Sequence, residues 1–153
     1  MSVLVGLLVV VGSFSACKKD KYDAEKQANI DDALIVDFIA KNSIVAIKHS
    51  SGIYYQIINP GSGNFSFSLS TNVTVNYEGR LLTGAIFDKS TSAKTFALGT
   101  LIQGWQIGIP LIQKGGRIRL IIPSTLAYKN QSPSSNIPEN AVLDFTIDLI
   151  NAQ

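Results

Sequence analysis

The sequence is poor in the side chains that most enzymes use for chemistry. Its 153 residues hold one cysteine and one histidine, Cys17 and His49. A single thiol excludes a disulfide framework, and this pair is too few for a structural zinc centre or a multi-histidine metal site. The same scarcity argues against a Cys–His or Ser–His–Asp nucleophile. Neither a G-x-S-x-G turn nor a phosphate-binding P-loop occurs. Charge is sparse and balanced, with 13 basic against 11 acidic side chains. A formal +2 leaves no basic footprint for DNA or RNA. The chain is therefore expected to work without metal, cofactor or nucleic acid. What it has is a core: hydrophobic residues make up 46%, which is unlike a disordered chain. The length fits one domain with a little to spare.

The N-terminus reads as an address. Residues 1–16 carry no charge, and Val3 to Val11 is apolar apart from Gly6. That run is short of the ~20 residues a membrane-spanning helix needs. It has the length of a signal-peptide core, roughly 7–15 residues. Ser15-Ala16-Cys17 follows, and then Lys18, Lys19 and Asp20. This resembles a bacterial lipoprotein signal, in which the cysteine is lipidated and becomes the first mature residue. The resemblance implies lipid attachment at Cys17 and a place in the cell envelope, at the outer membrane of a Gram-negative bacterium. An uncleaved anchor or cleavage at another position stays open.

Residues 17–28 are polar and read as a tether, followed by an N-terminal helix and linker to residue 50 and a domain over 51–153. The helix pattern itself covers about residues 24–41. Asn29 suits a cap, Ile30, Leu34 and Phe38 recur every four residues, and Ile35 and Ile39 widen the stripe. That apolar face must bury against the following domain or against a second copy of the chain. Beyond Gly52 the period shortens to two. Ile53 to Ile58, Val73 to Tyr77, Arg117 to Ile122 and Leu143 to Leu149 read as strands. Leu143, Phe145, Ile147 and Leu149 share one face, while Asp144, Thr146 and Asp148 share the other. Ile102, Trp105, Ile109 and Ile112 have the spacing of a short helix, with Pro110 a cost inside it. The fold class is α+β: an antiparallel sheet holding one short helix on its concave face, preceded by an N-terminal helix.

Several segments resemble one family in order and spacing. They are Val75-Asn76-Tyr77-Glu78-Gly79 with Leu81, Gly84 and Phe87-Asp88-Lys89-Ser90, then Phe96-Ala97-Leu98-Gly99, and Leu101-Ile102-Gln103-Gly104-Trp105. Gly108, Gly115-Gly116, Ile122-Pro123, Leu126-Ala127-Tyr128 and Ile137-Pro138 follow. Over about residues 51–151 the chain resembles the FKBP-type peptidyl-prolyl cis-trans isomerases. The resemblance implies a half-barrel antiparallel sheet wrapped around a short helix, and X–Pro bonds of extended polypeptides as substrate. It also implies macrolides as inhibitors. A peptide-holding chaperone module with the same fold is the alternative.

The resemblance also implies roles. Trp105 would floor a proline pocket, with Tyr77, Phe87, Phe96 and Phe145 as aromatic walls. Leu101 and Ile102 would form the rim, the Ile102 N–H facing a substrate carbonyl, and Ile137 would close the pocket from a long loop. Tyr128 would offer its hydroxyl, and Asp88 would sit beside the twisting amide. Tyr77, Phe87, Asp88 and Tyr128 are thus the candidate catalytic residues, and the others bind substrate. Aromatic residues in strands are ordinarily core, so the joint appearance carries the reading. Gly79, Gly84 and Gly104 are expected to serve tight turns. Lys89 is expected to pair with Asp88 or to lie in solvent, and His49 to be solvated. Lys129 stands where the family usually has glycine.

Overall fold

The computed structural model describes residues 21–153. The signal-like segment and Cys17 lie outside the described residues. Helix α1 (Ala24–Lys41) is followed by strands β1 (Ile47–Lys48), β2 (Tyr54–Asn59), β3 (Asn72–Leu81), β4 (Ile86–Lys89) and β5 (Lys94–Ala97). Helix α2 (Gln103–Gly108) comes next, then β6 (Arg117–Ile122) and β7 (Leu143–Ala152). All strand pairs are antiparallel. The sheet runs β1-β2-β6-β7-β3-β4, and β5 pairs with the other half of β3. Among the described residues no helix is long and apolar enough to cross a membrane.

The two-residue alternation gives the sheet two apolar faces. On the concave side Val73, Val75, Ile118, Leu120, Ile122, Leu143, Ile147 and Leu149 pack with Trp105 and Ile109 of the short helical segment. Pro110 costs no interior helix bond, because α2 ends at Gly108 and the proline falls in a single 3-10 turn, Ile109–Leu111. On the convex side Tyr54, Ile121 and Val142 are covered by Ile35, with Phe38 and Ile39 packed alongside. Helix α1 therefore buries its face against its own domain.

Three expectations need correction. The cap of α1 is Asp23, whose carboxylate accepts from the Lys26 N–H at 3.0 Å, not Asn29. The helix begins at Ala24, in line with the pattern over about residues 24–41, so the tether boundary at residue 28 overlaps its first turn. The buried edge of α1 is Asp31, Ile35, Phe38 and Ile39, while Ile30 and Leu34 stay 45% and 48% exposed. Lys89 pairs with Glu78 at 2.8 Å, because the β3–β4 register sets Glu78 opposite Lys89. His49 caps a turn, its Nδ1 meeting the Ser51 hydroxyl at 2.9 Å.

Candidate functional site

A cavity of about 430 Å³ opens on the concave side of the sheet. All ten residues singled out from the sequence for catalysis or substrate binding line it: Tyr77, Phe87, Asp88, Phe96, Leu101, Ile102, Trp105, Tyr128, Ile137 and Phe145. Thr100, Pro133 and Ser134 also line it and were missed. Pro133 and Ser134 sit in a polar loop without periodicity, which gives no sequence signal for a wall.

Tyr77 comes from the middle of β3, on the face of Val73 and Val75. Phe145 comes from β7, in register with Gly79. Trp105, from α2, lines the cavity and is only 4% exposed. Its ring meets Tyr77 at 5.2 Å and 77°, and Phe145 at 5.1 Å and 86°. Phe87 stands edge-on to Phe145 at 5.4 Å and 89°, and Phe96 lies 6.4 Å from Tyr77. Edge-to-face packing is a favoured aromatic geometry, so these rings hold one another in place. The Trp105 indole N–H is buried and has no hydrogen-bond partner among the described residues.

Phe87 and Asp88 are consecutive, and a regular strand would send them to opposite faces. The β3–β4 ladder breaks there: Gly79 pairs with Asp88 and Arg80 with Ile86, leaving Phe87 unpaired. This bulge re-aims the strand so that both neighbours reach the cavity. Gly79 faces the same spot for a spatial reason. A Cβ there would lie 2.6 Å from both Phe145 Cε1 and Phe87 Cζ. Gly104 is likewise a close-packing glycine, since its Cβ would meet Ile122 Cγ2 at 2.4 Å. Of the three glycines expected in turns, only Gly84 has a positive φ, 89°.

The polar groups gather at the rim. The Tyr77 hydroxyl donates to Asp88 Oδ2 at 2.9 Å. Burial, and then this hydrogen bond to a carboxylate, push the Tyr77 pKa up to about 12. Burial and the Asp88 charge also raise that of Tyr128. Both hydroxyls therefore stay protonated donors at neutral pH. The segment before α2 is held by Gln106, which donates to the Leu101 carbonyl at 2.7 Å. Among the described residues no acceptor takes the Ile102 N–H. Ile137 is 6% exposed, and its carbonyl accepts from Ser132 Oγ at 2.7 Å, so the long loop is folded on itself.

A concave antiparallel sheet with a mostly aromatic cavity and a few polar groups at its edge has the form of a small-ligand site. The comparisons with known proteins agree with that class. A family model described as FKBP-type peptidyl-prolyl cis-trans isomerase matches residues 66–150, and the chain belongs to that family. Among similar proteins is the FKBP-type peptidyl-prolyl cis-trans isomerase FkpA of Buchnera aphidicola subsp. Schizaphis graminum. It is 35% identical over 140 residues, covering 90% of this chain and 55% of that protein. The FkpA of Escherichia coli K12 is 37% identical over 107 residues, covering 68% of this chain and 39% of that one. The chain spans roughly half the length of the first relatives it matches. The crystal structure of Escherichia coli FkpA superposes with a TM-score of 0.71 at 33% identity, over 85% of this chain and 62% of that one. A peptidyl-prolyl cis-trans isomerase structure from Pseudomonas syringae pv. tomato gives 0.73 at 29% identity, over 87% and 98%.

Proposed function

We propose that the chain is a peptidyl-prolyl cis-trans isomerase that accelerates X–Pro isomerisation while exported proteins fold, with residues 51–153 as the isomerase domain. One observation carries the reading: four aromatic walls over a Trp105 floor, with the Tyr77–Asp88 pair and Tyr128 at the rim of the same cavity. The cavity volume falls in the ~300–1,000 Å³ range of small-ligand sites.

The chemistry asks for no acid, base or nucleophile. The amide bond rotates over a barrier of ~18–20 kcal/mol, and uncatalysed exchange takes tens to hundreds of seconds. Twisting removes amide resonance, so the carbonyl loses negative charge and the nitrogen gains basicity. Water favours the planar, polar ground state, and an aromatic cavity withdraws that advantage. Phe96, Phe145, Trp105, Leu101 and Ile137 would hold the prolyl ring. The Ile102 N–H and the Tyr128 hydroxyl would hold the peptide carbonyls. Phe87, Asp88 and Tyr77 would face the twisting bond and bind its twisted form selectively. An acceleration of 10⁴–10⁵ takes about 5.5–7 kcal/mol, within reach of a handful of such contacts. Macrolide inhibitors would occupy the same cavity.

A protease-coupled isomerisation assay on residues 18–153 tests the activity, with Phe87→Ala plus Asp88→Ala as the folded control. Activity lost in that variant supports the isomerase. A folded wild type at the background rate makes the chain a peptide-holding module instead. Lipid attachment at Cys17 predicts release from membranes by Cys17→Ser. The exposed Ile30 and Leu34 on α1 leave monomer and helix-mediated dimer to sedimentation. A dimer through this ridge would dissociate on Ile30→Glu with Leu34→Glu.

A further inference from the structure

Helix α1 lies outside the residues that the family model matches, yet it sends a carboxylate into the domain. Asp31 is fully buried, and so is Ser124. The Ser124 N–H and its hydroxyl both donate to Asp31 Oδ2, at 2.7 and 2.6 Å. Gln27 Nε2 donates to Oδ1 at 2.7 Å. A buried carboxylate is costly unless its oxygens are satisfied in this way. The Tyr22 hydroxyl lies beside it, with a pKa raised by burial and by the Asp31 charge.

Ser124 in turn organises the chain that follows. Its carbonyl accepts from both the Ala127 N–H, at 3.0 Å, and the Lys129 N–H, at 2.8 Å. Tyr128 sits between those two donors and lines the cavity. The turn is strained as well, because Lys129 has a φ of 56°, a region that non-glycine residues avoid. Such a conformation persists only when its surroundings over-determine it. Ser124 thus takes part in four of these hydrogen bonds, two to Asp31 of α1 and two from the turn that carries Tyr128.

We propose that Asp31 is a positioning residue for Tyr128: through Ser124, the N-terminal helix sets the turn that carries the tyrosine hydroxyl to the rim of the cavity. The inference rests on the isomerase reading only for its kinetic consequence. The geometry of Tyr128 can be read without catalysis.

The test uses the full chain and its variants Asp31→Asn, Ile35→Ala, Tyr128→Phe and Asp31→Asn with Tyr128→Phe. Asp31→Asn is expected to lower kcat/KM about tenfold, since small misplacements of positioned groups cost one to two decades. Ile35→Ala loosens the same helix without touching Ser124, and is expected to hold kcat/KM near the wild-type value while losing stability. In the Tyr128→Phe background Asp31→Asn is expected to cost little more, because the two act as one unit. An equal loss in both backgrounds, or none in folded Asp31→Asn, overturns the proposal. Should Asp31→Asn not fold, Ser124→Ala replaces it, keeping the backbone N–H bond to Asp31 and losing only the hydroxyl. NMR of ring-labelled tyrosine supplies the second readout, with the Tyr128 signal assigned by Tyr128→Phe. A Tyr128 signal moved by Asp31→Asn but not by Ile35→Ala supports the positioning role even if the wild type is inactive. A Tyr128 signal left in place by Asp31→Asn overturns it.

Discussion

Gly79 offers the sharpest separation between fold and site. It lies in the middle of β3, and an added methyl would sit 2.6 Å from Phe145 Cε1 and 2.6 Å from Phe87 Cζ. Carbon atoms pack at about 3.5–4.0 Å, so one ring must retreat by about 1 Å. Phe145 is 4% exposed and is pinned edge-on by Trp105 and Tyr77. Phe87 is half-buried and sits at the bulge without a ladder partner, so Phe87 yields. Gly79→Ala should then cost about 1–3 kcal/mol of stability, as overpacking does. It should also cost about a hundredfold in kcat/KM, as a misplacement of that size can. Gly108→Ala is the comparison, because its methyl would meet Leu120 Cδ1 at 2.4 Å, and neither residue lines the cavity. It should lose comparable stability and far less activity. Urea unfolding and the protease-coupled assay read both quantities. Full activity in Gly79→Ala would refute the reasoning, and so would an equal loss in Gly108→Ala.

Other consequences follow from the same geometry. Ile35 is fully buried against Tyr54, Ile121 and Val142, so Ile35→Ala should destabilise by about 2–5 kcal/mol in urea unfolding. Lys129→Gly should relieve the left-handed backbone and raise stability in urea unfolding by up to about 1 kcal/mol, whereas Lys129→Val should lower it. The raised pKa of Tyr77 sets a sign for alkaline stability. Below the ordinary value of 10.0 both folded and unfolded forms are protonated and the contribution is complete. As pH rises from there toward about 12 the unfolded chain ionises first, and stability falls. Tyr77→Phe should blunt that fall, and tyrosinate absorbance should show late-titrating tyrosines in the folded protein.

The sheet was legible because several strands carry a two-residue alternation, over Val73 to Tyr77 in β3 and Leu143 to Leu149 in β7. The cavity was legible through a family resemblance spread over several segments, and all ten of its named residues meet there. What escaped was whatever depends on contact between distant segments. Glu78 and Lys89 are eleven positions apart, and only the ladder register makes them partners. Gly79 and Gly104 read as turn residues because sequence shows flexibility but not proximity. The stripe on α1 pointed to Ile30 and Leu34, which stay in solvent, because a polar residue can hold the buried position when a partner satisfies it. Asp31 does so, and the pattern of apolar residues could not have located it.

That last point bears on how the site is held. The catalytic demand proposed for this cavity is rigidity rather than titration: rings that do not yield, and hydroxyls that stay protonated. Edge-to-face contacts fix the rings locally, but Tyr128 lies on a turn with no aromatic neighbour in the same net. Its backbone passes through Lys129 in a conformation that costs energy. The opposing hydrogen bonds come from Ser124 on one side, and from the Asn140 N–H to the Lys129 carbonyl at 2.8 Å on the other. Asp31 anchors the first of these, and the long loop supplies the second. A helix that lies beyond the matched family segment is therefore tied to the rim of the cavity by a fully buried carboxylate, while the apolar contacts of Ile35 attach that helix to the sheet. The two roles can be separated, because one acts through the Tyr128 turn and the other through stability alone.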